Sequence, residues 1–255
     1  MSDAVLIERP RPSVARLVLN RPDKRNALST ELREGLIAAA ETVLADPEIR
    51  SVVLTGAGPV FCAGGDIASM GRHDVHSGRA RMRANHRLVR VLMLAEKPIV
   101  AAVNGTAFGA GSGLALMADT IVAGQGSSFG FNFFRLGLVP DYGLLGTLPQ
   151  RVGRARARQI LLRGGAVGIE EAERIGLVDR VVPDADLQEA AIEEAEILGA
   201  QPAFAFRLAK RILTEAPTTL DALLDAELNA QSLCFVSPEH KEGVAAFQEK
   251  RKPNF

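Results

Sequence analysis

The chain has 255 residues, of which 47% are hydrophobic and 24% charged, as in ordinary globular proteins. Its 30 basic and 30 acidic side chains balance, so no global positive field favours nucleic acid as a partner. Two cysteines, Cys62 and Cys234, form neither a disulfide framework nor a metal cluster, which suits a reducing cytosol. No signal-peptide pattern opens the chain, and no apolar run reaches the ~20 residues that span a membrane. We expect a cytoplasmic protein of one large domain, or one domain with an appendage.

The first two thirds of the chain alternate between strand and helix patterns. Two short apolar runs, 4–8 and 14–19, predict a strand pair. Apolar residues then recur with helical period from Leu32 to Leu44, and Thr30 is suited to cap that helix. Buried strands are predicted at 52–55, 98–103 and 120–123. This alternation indicates an α/β core.

A turn rich in glycine follows the strand at 98–103 and precedes a helix predicted to start over 114–118. A strand, a glycine turn and a helix N-terminus aim free N–H groups at one point, which can hold a phosphate or a developing oxyanion. A dinucleotide motif would need glycine where Leu114 stands. A nucleophile elbow around Ser112 would need glycine at Ala110 and Leu114. An oxyanion hole is the reading that remains.

Basic side chains concentrate in two segments. Residues 72–90 contain six arginines against one acid, Asp74, and residues 151–163 contain five more. These segments could meet a phosphorylated small molecule, or they could be solvated helix faces. The same region holds His73, His76 and His86, for which surface positions are expected.

The last third of the chain has a helical pattern, with helices predicted at 203–214, 219–232 and 238–250. Ser237 followed by Pro238 is a favourable N-cap and first-turn pair for the last of them. The second helix places an apolar stripe on one side, formed by Leu220, Leu223, Leu224 and Leu228. Such an appendage is a candidate oligomerisation element, or a lid on its own core.

Five segments together resemble the crotonase, or enoyl-CoA hydratase/isomerase, superfamily over nearly the whole chain. They are RPDKRNALS (21–29), VVLTGAGPVFCAGGDI (52–67), KPIVAAVNGTAFGAGSGLAL (97–116), FRLGLVPDYG (134–143) and EGVAAFQEKRKPNF (242–255). The resemblance implies an α/β spiral of ββα units over residues 1–198, which carries an acyl-CoA site. It also implies a helical trimerisation region over 199–255, and homotrimers or hexamers. No membrane or nucleic-acid partner is expected.

The family's shared chemistry is stabilisation of a thioester enolate by two backbone N–H groups. By resemblance these belong to Gly65 and Ala110. Coenzyme A, which enters as part of the substrate, is expected along Lys24, Arg25, Ala63, Asp66 and Ile67. Phe247 and Lys250 match a pair that reaches coenzyme A from a neighbouring subunit. No permanently bound cofactor and no metal are implied.

The chain departs from the family's hydratases at their two glutamates, which correspond here to Gly113 and Phe133. Neither side chain can transfer a proton. Asp141 is the acid that remains, and its position resembles the aspartate of epoxyphenylacetyl-CoA isomerases, dienoyl-CoA isomerases and dihydroxynaphthoyl-CoA synthases. The C-terminal half looks most like the first of these, which tend to carry asparagine rather than glycine at position 113. An isomerase with Asp141 as acid/base is therefore predicted.

Other readings of the same residues stay open. Asp141 stands in a Pro-Asp-x-Gly pattern, which also forms common turns. Phe131, Phe133 and Phe134, together with Gly113, are expected to line an apolar acyl pocket. Packing roles are expected for Tyr142, Ser112 and Cys62. A hydratase with water held by other groups, or a non-catalytic acyl-CoA-binding protein, are the alternative functions.

Overall fold

The computed structural model describes residues 3–67, 71 and 74–255. Within this part the strands are β1 (Val5–Arg11), β2 (Val14–Leu19), β3 (Ser51–Gly56), β4 (Val60–Cys62), β5 (Ile99–Val103), β6 (Thr106–Phe108), β7 (Thr120–Gly124), β8 (Ser128–Gly130), β9 (Ala166–Gly168) and β10 (Arg180–Val182). The α-helices are α1 (Thr30–Ala45), α2 (Val75–Met93), α3 (Ala110–Leu116), α4 (Leu144–Val152), α5 (Arg154–Arg163), α6 (Ile169–Arg174), α7 (Leu187–Gly199), α8 (Ala203–Glu215), α9 (Leu220–Phe235) and α10 (Pro238–Glu249).

Two sheets organise the core. The larger has the strand order β1-β2-β3-β5-β7-β10, and the smaller has the order β4-β6-β8-β9. Among the strand pairs of the described residues, only the outer pairs β1/β2 and β8/β9 are antiparallel. The consecutive pairs β3–β4, β5–β6 and β7–β8 each give one strand to each sheet, and the next α-helix follows each pair. This repeated ββα unit winds the chain into a spiral.

The central strand β5 shows why the larger sheet is buried on both faces. Its five residues are all buried, as expected for a parallel strand covered by helices on each side. Alternate side chains enter two different apolar clusters: Ile99, Ala101 and Val103 on one face, Val100 and Ala102 on the other. Helix α7 covers the second face, so the first face is left for the helices of the spiral.

The predicted strands and helices are present. The structure differs from the prediction in the cap of α1, the start of α3 and the short strands. Ser29, not Thr30, caps α1, and its hydroxyl accepts the N–H of Leu32. Helix α3 begins at Ala110, four residues before the predicted start at Leu114. Five strands of three residues each were not predicted, because so short a run cannot show a period of two. They are β4, β6, β8, β9 and β10.

The three predicted C-terminal helices are confirmed as α8, α9 and α10, and Ser237 caps α10 by accepting the N–H of His240. Lys210 fixes α8 to the core, since its Nζ lies 2.7 Å from Asp119 Oδ2 and 3.0 Å from the carbonyl oxygen of Lys97. Helix α9 buries none of its side chains. Its Leu220 and Leu228 are 69% and 65% exposed in the single chain.

The described part of the chain holds no α-helix long and apolar enough to cross a bilayer. Over the same residues, no group of three or more His, Cys, Asp or Glu side chains could hold a metal ion. The division of the chain at residues 198 and 199 stays a prediction.

Candidate active site

Two glycine turns interlock beside the smaller sheet. The first follows β4, where Gly64 is buried with φ +99°, and the second joins β6 to α3 through Gly109 with φ +54°. A Cβ atom on Gly64 would lie 2.5 Å from the carbonyl oxygen of Phe108 and 3.6 Å from the amide nitrogen of Ala110. A Cβ atom on Gly111 would collide with the carbonyl oxygen of Cys62. Glycine is therefore required at these positions for the two turns to approach each other.

Each turn presents an N–H group that has no acceptor among the described residues. Leu28 pairs with the first turn, since its N–H donates to the carbonyl of Gly64 over 2.7 Å, and its carbonyl accepts from Asp66. This pairing leaves the N–H of Gly65 without an acceptor among the described residues. Ala110 is the first residue of α3, where helix geometry offers the N–H no partner, and the described residues supply none.

The residues expected to meet coenzyme A lie along the first turn. The N–H of Ala63 donates to the carbonyl of Arg25 over 3.0 Å, so the segment 24–28 runs beside the segment 63–66. Lys24 and Arg25 are exposed, and Ile67 is 67% exposed. The structure thus brings Lys24, Arg25, Ala63 and Asp66 together, with Ile67 next in the chain.

Asn26 holds this segment in place and was not predicted. It is fully buried, and its Nδ2 donates to the carbonyl oxygens of Ala57 and Val60 at 3.0 and 2.7 Å. Its backbone has φ +53°, a conformation that asparagine adopts more easily than most residues. The signal for it was the position of an asparagine directly after Lys24-Arg25 in the RPDKRNALS motif.

The carboxyl group of Asp141 is partly enclosed. Its Oδ1 is shut off from solvent and has no hydrogen-bond partner among the residues that the structure describes. Burial raises the pKa of Asp141 to about 6, although a backbone hydrogen bond and the charge of Arg81 act in the opposite direction. A carboxyl with a pKa near neutrality is suited to accept and return a proton. The sequence had placed Arg81 only within a basic stretch.

Position 113 has no room for a side chain. A Cβ atom on Gly113 would lie 2.6 Å from the Cβ of Tyr142 and 3.0 Å from its carbonyl oxygen. Tyr142 is 4% exposed and has φ +51°, so the turn at Asp141 folds this residue directly onto α3. The space next to Gly113 is therefore filled by protein, and Tyr142 packs in the core as predicted.

The three phenylalanines expected in the acyl pocket differ in their surroundings. Phe131 is fully buried in the main core, and Phe133 is 8% exposed. The Cζ of Phe133 lies 3.9 Å from where a Cβ on Gly109 would stand, so its ring borders the second turn. Phe134 is 49% exposed and lines a surface cavity of about 260 Å³ with Arg135 and Arg163. Of the three, Phe133 is the one that the structure places beside a proposed N–H donor.

The remaining predicted residues lie apart from the two turns or serve packing. Phe247 on α10 is 87% exposed, and Lys250 ends that helix with φ +55°. Burial raises the pKa of the Cys62 thiol to about 12, and the Ser112 hydroxyl donates to the carbonyls of Ala107 and Gly130. His76 and His86 are exposed, as expected. Arg72 and His73 lie outside the described residues.

Solved structures share this arrangement of strands and helices. The chain matches the crystal structure of an enoyl-CoA hydratase from Bacillus anthracis with a TM-score of 0.91 and 31% identity, over 98% of each chain. This match confirms the predicted crotonase-type α/β fold, in which the C-terminal helices fit the trimerisation region.

Sequence comparison defines the family. The enoyl-CoA hydratase/isomerase family matches residues 9–255, and the chain belongs to it. The chain is 39% identical over 247 residues to the 1,2-epoxyphenylacetyl-CoA isomerase of Escherichia coli K12, covering 95% of this chain and 94% of that protein. It is 35% identical over 244 residues to the crotonyl-CoA hydratase of Syntrophomonas wolfei, with the same two coverages. The relatives thus include both isomerases and hydratases.

Proposed function

We propose that this protein is an acyl-CoA isomerase that moves a proton with the carboxyl group of Asp141. The observation that carries the proposal is the contrast between two positions. Asp141 has an enclosed Oδ1 without a partner in the described part of the chain, and a pKa of about 6. The backbone of α3 at Gly113, in contrast, lies against Tyr142 with no space for an acid. Phe133 likewise offers no group that could move a proton.

The chemistry follows from these groups. Ionised Asp141 takes a proton from an activated carbon of the acyl chain, and the C–H electron pair moves into an enolate. The N–H groups of Gly65 and Ala110 hold the thioester oxygen while it carries the charge. Asp141 then returns the proton to another carbon of the chain. The product is a shifted double bond, or a rearranged ring epoxide where the acyl group carries one.

Coenzyme A would lie along the paired segments 24–28 and 63–67. The exposed Lys24 and Arg25 would meet its phosphates, while Ala63, Asp66 and Ile67 would follow the adenine and pantetheine. Phe247 and Lys250 would reach it from a neighbouring subunit. The strongly exposed ring of Phe247 supports this, since it makes little contact within its own chain. We propose a cytoplasmic homotrimer or hexamer that needs no permanently bound cofactor.

A hydratase is the second candidate, and the similarity to hydratases such as that of Syntrophomonas wolfei favours it. In that case the water would be held by groups other than the side chains at positions 113 and 133. The absence of a proton-transferring side chain at each typically costs about 10²–10⁴-fold. We therefore expect negligible hydration of crotonyl-CoA. A non-catalytic acyl-CoA-binding protein is the third reading.

Deuterium exchange tests the proposal directly. The wild-type protein, incubated with a 3-enoyl-CoA in deuterated water, should shift the double bond and incorporate deuterium. Asp141→Asn keeps the shape but cannot accept the proton, so it should bind the thioester and do neither. Mass spectrometry of the thioester and its ultraviolet absorbance measure both events.

Three outcomes would contradict this assignment. Isomerisation by Asp141→Asn at the wild-type rate would place the acid elsewhere. Efficient hydration of crotonyl-CoA by the wild type would establish the hydratase. Tight binding of several unsaturated acyl-CoAs without any exchange would favour the non-catalytic reading. Arg174→Met, at a surface ion pair with Glu171, serves as the control variant and should behave as wild type.

A further inference from the structure

The side chains of Tyr142 and Arg33 retain unused hydrogen-bond donors although both residues are more than nine-tenths buried. Tyr142 is 4% exposed and Arg33 is 6% exposed. The hydroxyl group of Tyr142 has no hydrogen-bond partner in the described part of the chain. The hydroxyl is also not fully enclosed. Among the described residues, the side-chain polar atoms that are both enclosed and without a partner are Ser51 Oγ and Asp141 Oδ1, and the Tyr142 hydroxyl is not one of them. A donor that solvent reaches but no described residue accepts is available to a bound molecule.

Arg33 lies in the first turns of α1 and uses only part of its guanidinium. Its Nε donates to Glu34 Oε1 over 3.2 Å, and its Nη1 donates to Asn85 Oδ1 over 3.1 Å. Asn85 is itself buried on α2 and fixes the plane of the guanidinium. The second terminal nitrogen, Nη2, has no acceptor within the described residues. A planar guanidinium held in this way directs its free N–H groups rigidly.

The two groups lie near each other across α2. Arg33 donates to Asn85, and Val89, one helical turn further along α2, lies 3.8 Å from where a Cβ atom on Gly143, the neighbour of Tyr142, would stand. Burial and the charge of Asp141 raise the pKa of Tyr142, whereas the charges of Arg33 and Arg81 lower it. The thiol of Cys62 also raises the pKa of Tyr142. Tyr142 therefore stays a neutral phenol that can donate its proton in a hydrogen bond. Its Cβ lies against Gly113, one helical turn along α3 from the N–H of Ala110.

We propose that Arg33 and Tyr142 form a polar subsite of the acyl pocket, which binds a hydrogen-bond-accepting oxygen of the acyl group. The inference rests on the proposed acyl-CoA function and narrows its substrate class. The substrate is an acyl-CoA whose acyl group carries a carbonyl, ether or carboxylate oxygen, rather than a plain hydrocarbon chain. A site built to donate to such an oxygen discriminates against an analogue that lacks it, because its buried donors are then left unpaired.

Saturated thioesters test this by binding alone, since they have no double bond to shift. Hexanoyl-CoA, 5-oxohexanoyl-CoA and adipoyl-CoA share one chain length, and the corresponding eight-carbon set allows for the depth of the pocket. Calorimetry measures their dissociation constants. The wild type should bind at least one oxygenated thioester about tenfold more tightly than its hydrocarbon counterpart. Preference for the carboxylate identifies an anionic acyl end, and preference for the ketone identifies a neutral one.

Two variants and one control complete the experiment. Tyr142→Phe removes only the hydroxyl, and Arg33→Met removes the guanidinium while keeping most of the stem. Each should weaken binding of the oxygenated thioester by about tenfold and leave the hydrocarbon thioester unchanged. Arg174→Met, at the surface pair with Glu171 on α6, should keep the wild-type preference. The Tyr142→Phe result stands even if Arg33→Met folds poorly.

The outcomes separate this inference from the function on which it rests. Equal binding of oxygenated and hydrocarbon thioesters by the wild type overturns the subsite, and so does a preference that Tyr142→Phe retains. If the wild type isomerises a plain 3-enoyl-CoA and shows no preference, the proposed function survives without the subsite. If it shows the preference but exchanges no deuterium, the subsite survives and the isomerase assignment fails. If no thioester binds more tightly than coenzyme A itself, both fail.

Discussion

The folded protein is less stable when the carboxyl group of Asp141 is ionised than when it is protonated. Its pKa in the folded protein is about 6, above the ordinary value of 3.8, so the folded state holds the proton more tightly than the unfolded state. The free energy of unfolding therefore falls as the pH rises from about 4 to about 6, and the full cost remains above that window. The enclosed Oδ1 that suits proton transfer is also the source of this cost.

Asp141→Asn should accordingly be more stable than the wild type at neutral pH. The expected gain is on the order of 1–3 kcal/mol at pH ~7.5, fading to near zero at pH ~4, since one pKa unit corresponds to about 1.4 kcal/mol. Urea unfolding at both pH values measures it. Asp225→Asn, on the exposed surface of α9, should show no comparable gain. A gain of equal size at both pH values would mean that the carboxylate is not the source.

Position 113 has no space for the methyl group of an alanine side chain. Gly113→Ala should destabilise the protein by about 1–3 kcal/mol, because the new Cβ would stand 2.6 Å from that of Tyr142. Gly146→Ala is the matched control, since it lies exposed within α4 and an added Cβ would meet nothing within 4 Å. That substitution should be neutral or stabilising by up to about 1 kcal/mol. Equal unfolding free energies for the two variants would show that Tyr142 yields readily.

The sequence identified Asp141 but not the groups around it, for a physical reason. Asp141 stands in a recognisable motif, and its acidity is a property of its own side chain. The unused donors of Arg33 and Tyr142 depend on contacts between α1, α2 and the turn at 141–142, which are far apart in the chain. Asn26, which bonds to the carbonyls of Ala57 and Val60 some thirty residues away, was missed for the same reason.

At the scale of secondary structure, the N-terminus of α3 allows a direct test of the proposed oxyanion hole. Ala110 is its first residue, a position where proline fits a helix because no intrahelical bond uses that N–H. Ala110→Pro should fold, as circular dichroism can verify, yet lose one proposed oxyanion donor. Such a loss typically lowers kcat by about 10²–10³-fold. Ala110→Gly keeps the N–H and should retain most activity. Full activity of a folded Ala110→Pro variant would exclude this residue as a donor.

The start of α3 also shows where prediction from local patterns ends. Glycines at 111 and 113 disfavour a helix, so the sequence pattern placed the helix start at Leu114. In the folded chain the same glycines are required, because α3 packs directly on Cys62 and on Tyr142. Long apolar strands such as β5 were predicted, since burial on both faces leaves an unbroken apolar run. The three-residue strands of the smaller sheet are specified by their neighbours across the sheet rather than by their own sequence.

At the scale of the whole molecule, the C-terminal helices are tied to the core at one end and exposed at the other. Lys210 on α8 pairs with Asp119, whereas α9 and α10 carry apolar side chains such as Leu220, Leu228 and Phe247 into solvent. An exposed apolar surface of this kind favours assembly over a lid on the chain's own core. Deleting 237–255 should therefore weaken both assembly, measured by sedimentation, and coenzyme A binding. Unchanged values of both would contradict a role across subunits.

Mixed oligomers determine whether Phe247 acts on its own site or on a neighbour's. Phe247→Ala should change the stability of the chain by less than about 0.5 kcal/mol, because the ring is 87% exposed, yet it should weaken coenzyme A binding. Asp141→Asn should be inactive for a different reason. The two variants are mixed in equal amounts, unfolded together and refolded. If Phe247 serves a neighbouring site, some sites in the mixed oligomers will combine an intact Asp141 from one chain with an intact Phe247 from the next. About a quarter of the sites in a cyclic oligomer would then be complete, and activity at low substrate would rise above that of either variant. If Phe247 serves only its own chain, no site in the mixture is complete, and the activity would equal the mean of the two parents.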